Sequence, residues 1–379
     1  MKILYVSHTS LLQSFYRKRI DYIANLTNYK IKVLIPKYWK ELWKGDQKVF
    51  PEDNKSSNYE LIKSKIFFAG NGHTAFFRNH VLALIKKFKP DIIDIEKEPW
   101  SFGIFQVILL KKLFSPKSKV IFHTSQNIYK KYPFPFNLIQ KYTFKYADYA
   151  FARNEEAKKI LIRNGFEKSI EIVTHGVDTN VFLPKQVYEL KNRLGINNEF
   201  IIGYIGTITK QKGIETLLDA VRKLNFTCKL LIIGDGPHKK NIINYAKERK
   251  VDNVKFIDAI EHQEVPDYLN CMDVFVLPSI TLDNLKEKFG RVLIESMACE
   301  IATVGSSSGE IPNVIGDGGF IFEEKNSQDL ADIIEKLYYD KRLREHISKK
   351  GRVRVLQLYS WESIAKKTIK VYNELLQSK

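Results

Sequence analysis

Short apolar runs bounded by polar turns recur along the whole chain, and stretches with helical spacing fill the intervals between them. Ile3-Leu4-Tyr5-Val6, Val120-Ile121-Phe122, Ile201-Ile202-Gly203-Tyr204-Ile205, Leu230-Leu231-Ile232-Ile233 and Val274-Phe275-Val276-Leu277 are continuous rather than alternating. Continuous runs of this length describe strands covered on both faces, as in parallel sheets. The pattern predicts strands at 2–7, 31–35, 64–69, 92–96, 119–123, 148–152 and 170–174 in the first half. Helical stretches lie between them, notably 75–88 and 136–146. The second half predicts strands at 200–205, 229–233, 254–257, 273–277, 302–304 and 319–322. Its helices are expected at 214–224, 238–249, 264–270, 290–299 and 327–337, followed by 339–357 and 361–377. Strand–helix alternation of this kind predicts an α/β fold with parallel sheets between helical layers. Asp178, Asn180 and Pro184 interrupt the pattern, which sets a domain boundary near 185. The halves are similar in type and predict two Rossmann-like domains facing each other.

Length and composition are compatible with that division. A chain of 379 residues ordinarily forms two domains, and 44% hydrophobic residues suffice for two cores. No apolar run reaches the roughly 18–20 residues of a spanning helix. The longest candidate, Phe102 to Leu110, is short and carries Gln106. Met1 to Ser7 reads as a strand and not as a signal peptide, since no apolar region with a cleavage site follows. Cys228, Cys271 and Cys299 lack metal-ligand spacing and suit a reducing cytoplasm. Charge changes the picture more. Net charge is +18, and residues 1–180 hold 31 basic against 16 acidic residues, so +15 falls in the first half. An anionic partner for that half is implied, either nucleic acid or an anionic membrane.

Candidate chemistry concentrates after the run that ends at Leu277. Glu287-Lys288-Phe289-Gly290-Arg291-Val292-Leu293-Ile294-Glu295 leads from a polar loop into a helix. Gly290 is the expected loop-to-helix joint, with Glu287 in the loop and Glu295 about one turn into the helix. Free N–H groups at a helix start attract anions. Two carboxylates beside such a start suit a polyhydroxy group attached to phosphate. Gly206-Thr207-Ile208-Thr209-Lys210-Gln211-Lys212-Gly213 forms a second strand-to-helix joint, at the carboxyl end of a strand where open α/β sheets bind ligands. There Lys212 reads equally as a diphosphate contact or as part of a solvated basic loop. Gly234-Asp235-Gly236-Pro237 permits a tight turn but is not a dinucleotide fingerprint.

These motifs, in this order, resemble the retaining glycosyltransferases of family 4. The family signature E-x-F-G-x(4)-E is matched by Glu287, Phe289, Gly290 and Glu295, and G-R-L-x(3)-K-G by Gly206, Lys212 and Gly213. Gly234 and Gly236 match the G-x-G-P turn, and Ser307 to Pro312 is similar to S-G-G-I-P-E. The chain departs from the family at Lys288, Glu300, Glu310 and Asn313, and at Thr207, where an arginine is common. The resemblance covers about residues 170–379 and implies a GT-B fold with the active site in a cleft between the domains. It implies that a nucleoside-diphosphate sugar binds the second domain. Glu295 would hold the ribose, and Glu287 the hydroxyls of the donor sugar. The amides around Phe289 to Arg291, with Gly206, Thr207 and Lys212, would hold the diphosphate, and Gly234, Gly236 and Ile257 would line the nucleotide. Glu287, His123 and Lys212 are the implied catalytic group. Neither cofactor nor metal is implied, and no two aspartates stand two residues apart to form a D-x-D site. Tyr359-Ser360-Trp361-Glu362 resembles the F-S-W-E start of a terminal helix that returns to the first domain. The resulting domains are 1–185 with helix 361–379, and 186–360.

The first half matches less well. His123 ends a strand; a lone histidine is more often structural, whereas the resemblance implies a hydrogen bond to a donor hydroxyl. His8-Thr9-Ser10 occupies the place of a family glycine pair. His8, Glu98 and Trp100 are candidates for the acceptor, with a solvated acidic loop an equal reading of Glu98 and Trp100. Lysines and aromatics interleave from Ile128 to Tyr149, including Lys130, Lys131, Lys141 and Lys145. That pattern suits a membrane interface, single-stranded nucleic acid, or a core helix with a basic outer face. The expected function is sugar transfer to a glycan or lipid-linked acceptor in cell-envelope polysaccharide or glycolipid synthesis. The expected place is cytoplasmic, peripheral on an anionic membrane surface. A sugar-nucleotide binding or isomerising enzyme of the same fold is the alternative. A basic nucleic-acid-binding protein is a weaker one, and nucleic acid is not an expected partner.

Overall fold

The computed structural model describes residues 1–8, 17–41, 47–51, 58–196 and 199–377. Two compact units emerge, Met1–Thr174 with Trp361–Lys379, and His175–Ser360. The sequence pattern sets the boundary near 185. It falls about ten residues earlier because Val177 and Phe182 are buried in the core of the second unit.

Seven parallel strands form the sheet of the first unit: β1 Lys2–Ser7, β2 Lys30–Pro36, β3 Glu60–Ser64, β4 Ile92–Glu96, β5 Lys119–Thr124, β6 Tyr149–Ala152 and β7 Ile170–Ile172. Their order across the sheet is β7-β6-β5-β4-β1-β2-β3. Successive side chains of a strand point to opposite faces, so each face collects its own core. Ile3, Tyr5, Val33, Ile35, Ile121 and Phe151 pack with Ile20 and Ile23 of the helix Lys18–Leu26. The helix Trp361–Gln377 closes the same face with Trp361, Ile364, Val371 and Tyr372. On the other face, Leu4, Val6, Ile93, Ile95 and Phe122 meet Ile104 and Ile108 of the helix Phe102–Phe114 and Phe144 of the helix Phe136–Tyr146.

Two expectations fail in this unit. The run 64–69 is not a strand of the sheet; Ile66–Phe67 pairs antiparallel with Phe76–Phe77 in a short ribbon. Phe67 and Phe68 remain exposed, so the run is apolar without being buried. The stretch 75–88 is consequently not one helix: helical structure begins at His80 and passes into a π-helical turn over Leu84–Phe88.

The second unit carries six parallel strands: β8 Phe200–Ile205, β9 Cys228–Ile233, β10 Val254–Ile257, β11 Val274–Leu277, β12 Ala302–Ser306 and β13 Phe320–Phe322. They are ordered β10-β9-β8-β11-β12-β13. From β8 the chain moves outward through β9 and β10, then returns to β11 on the other side of β8. Adjacent strands whose connections run in opposite directions leave a crevice beyond their carboxyl ends, and open α/β sheets bind ligands there. The second sheet has that reversal between β8 and β11. In the first sheet it lies between β1 and β4.

Candidate active site

At the reversal in the second unit, the loop after β8 and the loop after β11 meet through side chains. Lys212 Nζ lies 2.5 Å from Glu287 Oε2, and Ser279 Oγ donates to the same oxygen at 3.0 Å. Glu287 is buried, as is Ser279. Burial alone would push the Glu287 carboxyl up. The Lys212 ammonium, with hydrogen bonds from Ser279 and the Phe289 backbone, outweighs burial and holds it below the usual carboxylate range. Behind it, the Glu287 carbonyl accepts from the Glu310 N–H at 3.0 Å, which ties the loop to the segment after β12.

Gly290 begins the helix Arg291–Ala298, and no side chain caps that start. Phe289 turns its ring inward against His175 and Tyr359, with ring centroids 5.5 and 5.8 Å away. Its ring is therefore part of the core, while its backbone hydrogen-bonds the Glu287 carboxylate. Glu295 stands one turn into the helix, buried, and its Oε1 accepts from His262 Nε2 at 3.1 Å and lies 3.3 Å from Arg291 Nε. The turns after β8, β9 and β10 are packed together. Gly234 has φ +143°, and a Cβ there would sit 2.0 Å from the Gly206 carbonyl oxygen. Only glycine permits that approach. The Gly234 N–H donates to the Ile257 carbonyl at 3.0 Å, while Gly236 lies against Ile208. Thr207 is exposed, and its carbonyl accepts from the Tyr204 hydroxyl at 2.9 Å. Lys212, Glu287, Ser279, Gly206, Gly234 and the helix start thus share one edge of the second sheet.

His8, His123, Glu98 and Trp100 belong to the first unit. His123 does not project from the end of β5, where the sequence pattern sets it. Its ring is buried beside Phe151, with Nε2 2.6 Å from Asp94 Oδ1. Asp94 also receives Arg19 at 3.2 Å and the Tyr372 hydroxyl. Burial, with Arg19, lowers the proton affinity of His123 against the pull of Asp94, so the ring is a neutral donor within an internal network. Both oxygens of Glu98 are used inside the fold, one accepting from Thr124 Oγ1 at 2.6 Å and the other from the Ser125 N–H at 2.9 Å. Trp100 is buried, stacks on Tyr132 at 4.1 Å and donates to His73 Nδ1 at 2.9 Å. His8 follows β1 directly and packs on Trp39, ring centroids 4.9 Å apart. Thr9 and Ser10 lie outside the described residues. Among the described residues no group of His, Cys, Asp or Glu is arranged to hold a metal ion.

The glycosyl transferases group 1 family matches residues 186–354. The match spans most of the second unit. Across the longer chain, CapM of Staphylococcus aureus, a capsular polysaccharide biosynthesis glycosyltransferase, is 30% identical over 63% of this chain and 65% of its own length. N-acetyl-alpha-D-glucosaminyl L-malate synthase of Bacillus anthracis is 30% identical over 55% of each chain. These matches span between half and two thirds of the relatives' lengths. Sucrose-phosphate synthase from Thermosynechococcus elongatus superposes with a TM-score of 0.73 at 18% identity over 100% of both chains. The Anabaena HepE protein, solved with UDP and glucose, superposes with a TM-score of 0.67 at 17% identity over 99% of this chain and 100% of its own. The fold is GT-B. Sequence reasoning did not find the His262 contact of the second unit, because 33 residues separate it from Glu295. Its one legible signal was a polar residue in the loop beyond β10. Lys97 of the first unit was missed too, although it directly follows β4, beside the reversal of that sheet.

Proposed function

We propose that the protein is a retaining, metal-independent glycosyltransferase that moves a hexose from a nucleoside-diphosphate sugar to a lipid-linked or glycan acceptor. One observation carries this reading: the Lys212–Glu287 pair at the reversal of the second sheet, with Glu295 a helical turn further on. The ionised Glu287 accepts hydrogen bonds from sugar hydroxyls. Lys212 and the uncapped start of the helix Arg291–Ala298 meet the diphosphate. In breaking the bond from the anomeric carbon to the diphosphate, negative charge accumulates on the departing oxygen. Groups already aimed at that charge lower the barrier most. Glu295 accepts from the ribose hydroxyls, replacing one of its present contacts to His262 and Arg291. The UDP and glucose held by the Anabaena protein of the same fold support a donor of this class. Retention follows from the family resemblance. Positive charge comes from Lys212 and the helix start, so a chelator is expected to leave turnover intact. The first unit receives the acceptor, and its basic character suits a site on the inner face of the cytoplasmic membrane.

The test is acceptor-dependent release of nucleoside diphosphate from UDP-, GDP- and ADP-sugars in the presence of EDTA. Release with one donor, lost in Glu287→Ala while nucleoside diphosphate still binds, is the expected result. Conversion of a sugar nucleotide without any acceptor would replace this reading with an isomerising one.

A further inference from the structure

The helices Phe102–Phe114 and Phe136–Tyr146 leave an open groove of about 690 Å³ between them on the first unit. That volume lies within the range of small-molecule sites. Phe76, Phe102, Leu109, Phe134, Leu138 and Tyr142 line it. Phe134 is 76% exposed, Leu138 52% and Leu109 40%. Contiguous exposed apolar surface of this kind marks an interaction site. Gln106 supplies a polar group to the lining, but its amide is spent on the backbone of Phe77, at 2.5 and 3.0 Å. The interior of the groove is thus suited to hydrocarbon.

Its surroundings are basic. Lys111 and Lys112 extend from one helix, Lys141 and Lys145 from the other, and Lys130 and Lys131 from the loop that carries Phe134. At one end the groove adjoins the reversal between β1 and β4. Phe136 bridges the two places, stacked on Phe102 at 5.7 Å and 6.3 Å from His73. Lys97 lies there, buried, over the Trp39 ring at 5.7 Å and at the limit of a hydrogen bond to the Gly72 carbonyl. Its stem passes Gly103, where a Cβ would come within 3.3 Å of Lys97 Cε. Among the described residues no carboxylate forms a salt bridge with Lys97. An unpaired buried ammonium is costly, and burial pushes it down to about 7. His8 Nδ1, close by, is buried without a hydrogen-bond partner. Burial first, then Lys97 and Lys130, lowers the proton affinity of His73, which puts both lysines near the bridge between groove and crevice.

We propose that this groove and crevice together bind one anionic lipid, its hydrocarbon chain between the two helices and its phosphate on Lys97 and Lys130. Among the described residues the crevice offers Lys97 no anion; a phosphate supplies one, and the groove is the adjoining place for a chain. Identification of that lipid as the acceptor rests on the transferase reading; the binding itself does not.

The test is calorimetric titration of the whole protein with dodecyl phosphate below its micelle concentration. Dodecyl maltoside, with the same chain and a neutral head, and inorganic phosphate serve as comparisons. Dodecyl phosphate is expected to bind at least tenfold more tightly than either. The double variant Leu109→Asp, Leu138→Asp changes two exposed positions and should weaken dodecyl phosphate tenfold or more. Lys97→Met should weaken dodecyl phosphate and leave dodecyl maltoside unchanged. Equal binding of the two amphiphiles, or undiminished binding by the double variant, overturns the proposal. Nucleoside-diphosphate binding is measured on the same samples. If the lipid phosphate binds and no nucleotide does, the lipid site stands and the transferase reading falls. The converse removes the lipid site alone.

Discussion

Lys97 and Glu287 are both buried charges near a sheet reversal, and they differ in one respect. Glu287 has Lys212, and Lys97 has no counter-ion among the described residues. The folded protein therefore holds the Lys97 ammonium at a cost. Its pKa is lowered from 10.5 to about 7, so the penalty is full below pH 7 and shrinks as pH rises toward 10.5. Lys97→Met should raise stability at pH 7 by on the order of a few kcal/mol, given about 1.4 kcal/mol per pKa unit. The gain should fade between pH 7 and pH 10. Urea unfolding at both ends of that window measures it, and a gain independent of pH would rule out the buried charge as its cause. Glu287 and Lys212 were legible as candidates through the family resemblance of the motifs around them. Lys97 and His262 were not, since their importance depends on which strand ends become neighbours, and that is a property of sheet order.

At the scale of elements, apolar runs predicted strands well where both faces are covered, as in β8, β9 and β11. They failed at 64–69 and 75–88 because a run records composition and not what covers it; Phe67 and Phe68 stay in solvent. The direction of His123 was equally invisible, being set by a partner on another strand. Asp94 of β4 gathers His123 of β5, Arg19 of the helix Lys18–Leu26 and Tyr372 of the helix Trp361–Gln377. This network fastens the last helix to a strand 278 residues earlier in the chain. Burial raises the Asp94 carboxyl, but Arg19 and His123 outweigh it and leave the pKa lowered. A lowered folded pKa gives stability that is present above the ordinary carboxylate range and is lost as pH falls through the folded value. Asp94→Asn leaves Arg19 buried without its counter-charge, so it should cost roughly 3–5 kcal/mol at pH 7. It should also flatten the acid limb of the stability profile. Thermal unfolding between pH 7 and pH 3 tests both; parallel profiles for variant and wild type would dismiss the network's role.

The whole molecule is uneven in charge, +15 in residues 1–180 against +18 in all. That asymmetry was plain from the sequence, whereas the groove beside it was not. Grooves depend on how two helices diverge, which no residue pattern states. No helix of the described residues is long and apolar enough to cross a membrane. On the proposed reading, lysines near an anionic surface contribute about 1 kcal/mol each. The protein should sediment with anionic vesicles at low salt, be released at high salt, and ignore neutral vesicles. Reversing charge at Lys130, Lys131, Lys141 and Lys145 should reduce sedimentation without changing nucleotide affinity. Retention on neutral vesicles in high salt would point to apolar insertion alone.

The central claim is that the second unit binds a nucleoside-diphosphate sugar through Lys212 and Glu295. Calorimetric titration with each nucleoside and its diphosphate, on wild type, Lys212→Ala and Glu295→Ala, tests it most directly. One base should bind. Glu295→Ala should weaken nucleoside and diphosphate alike, by the roughly 1.5–3 kcal/mol of a hydrogen bond to a charged group. Lys212→Ala should weaken the diphosphate and spare the nucleoside. No binding by any nucleotide, or wild-type affinity in both variants, would contradict the claim.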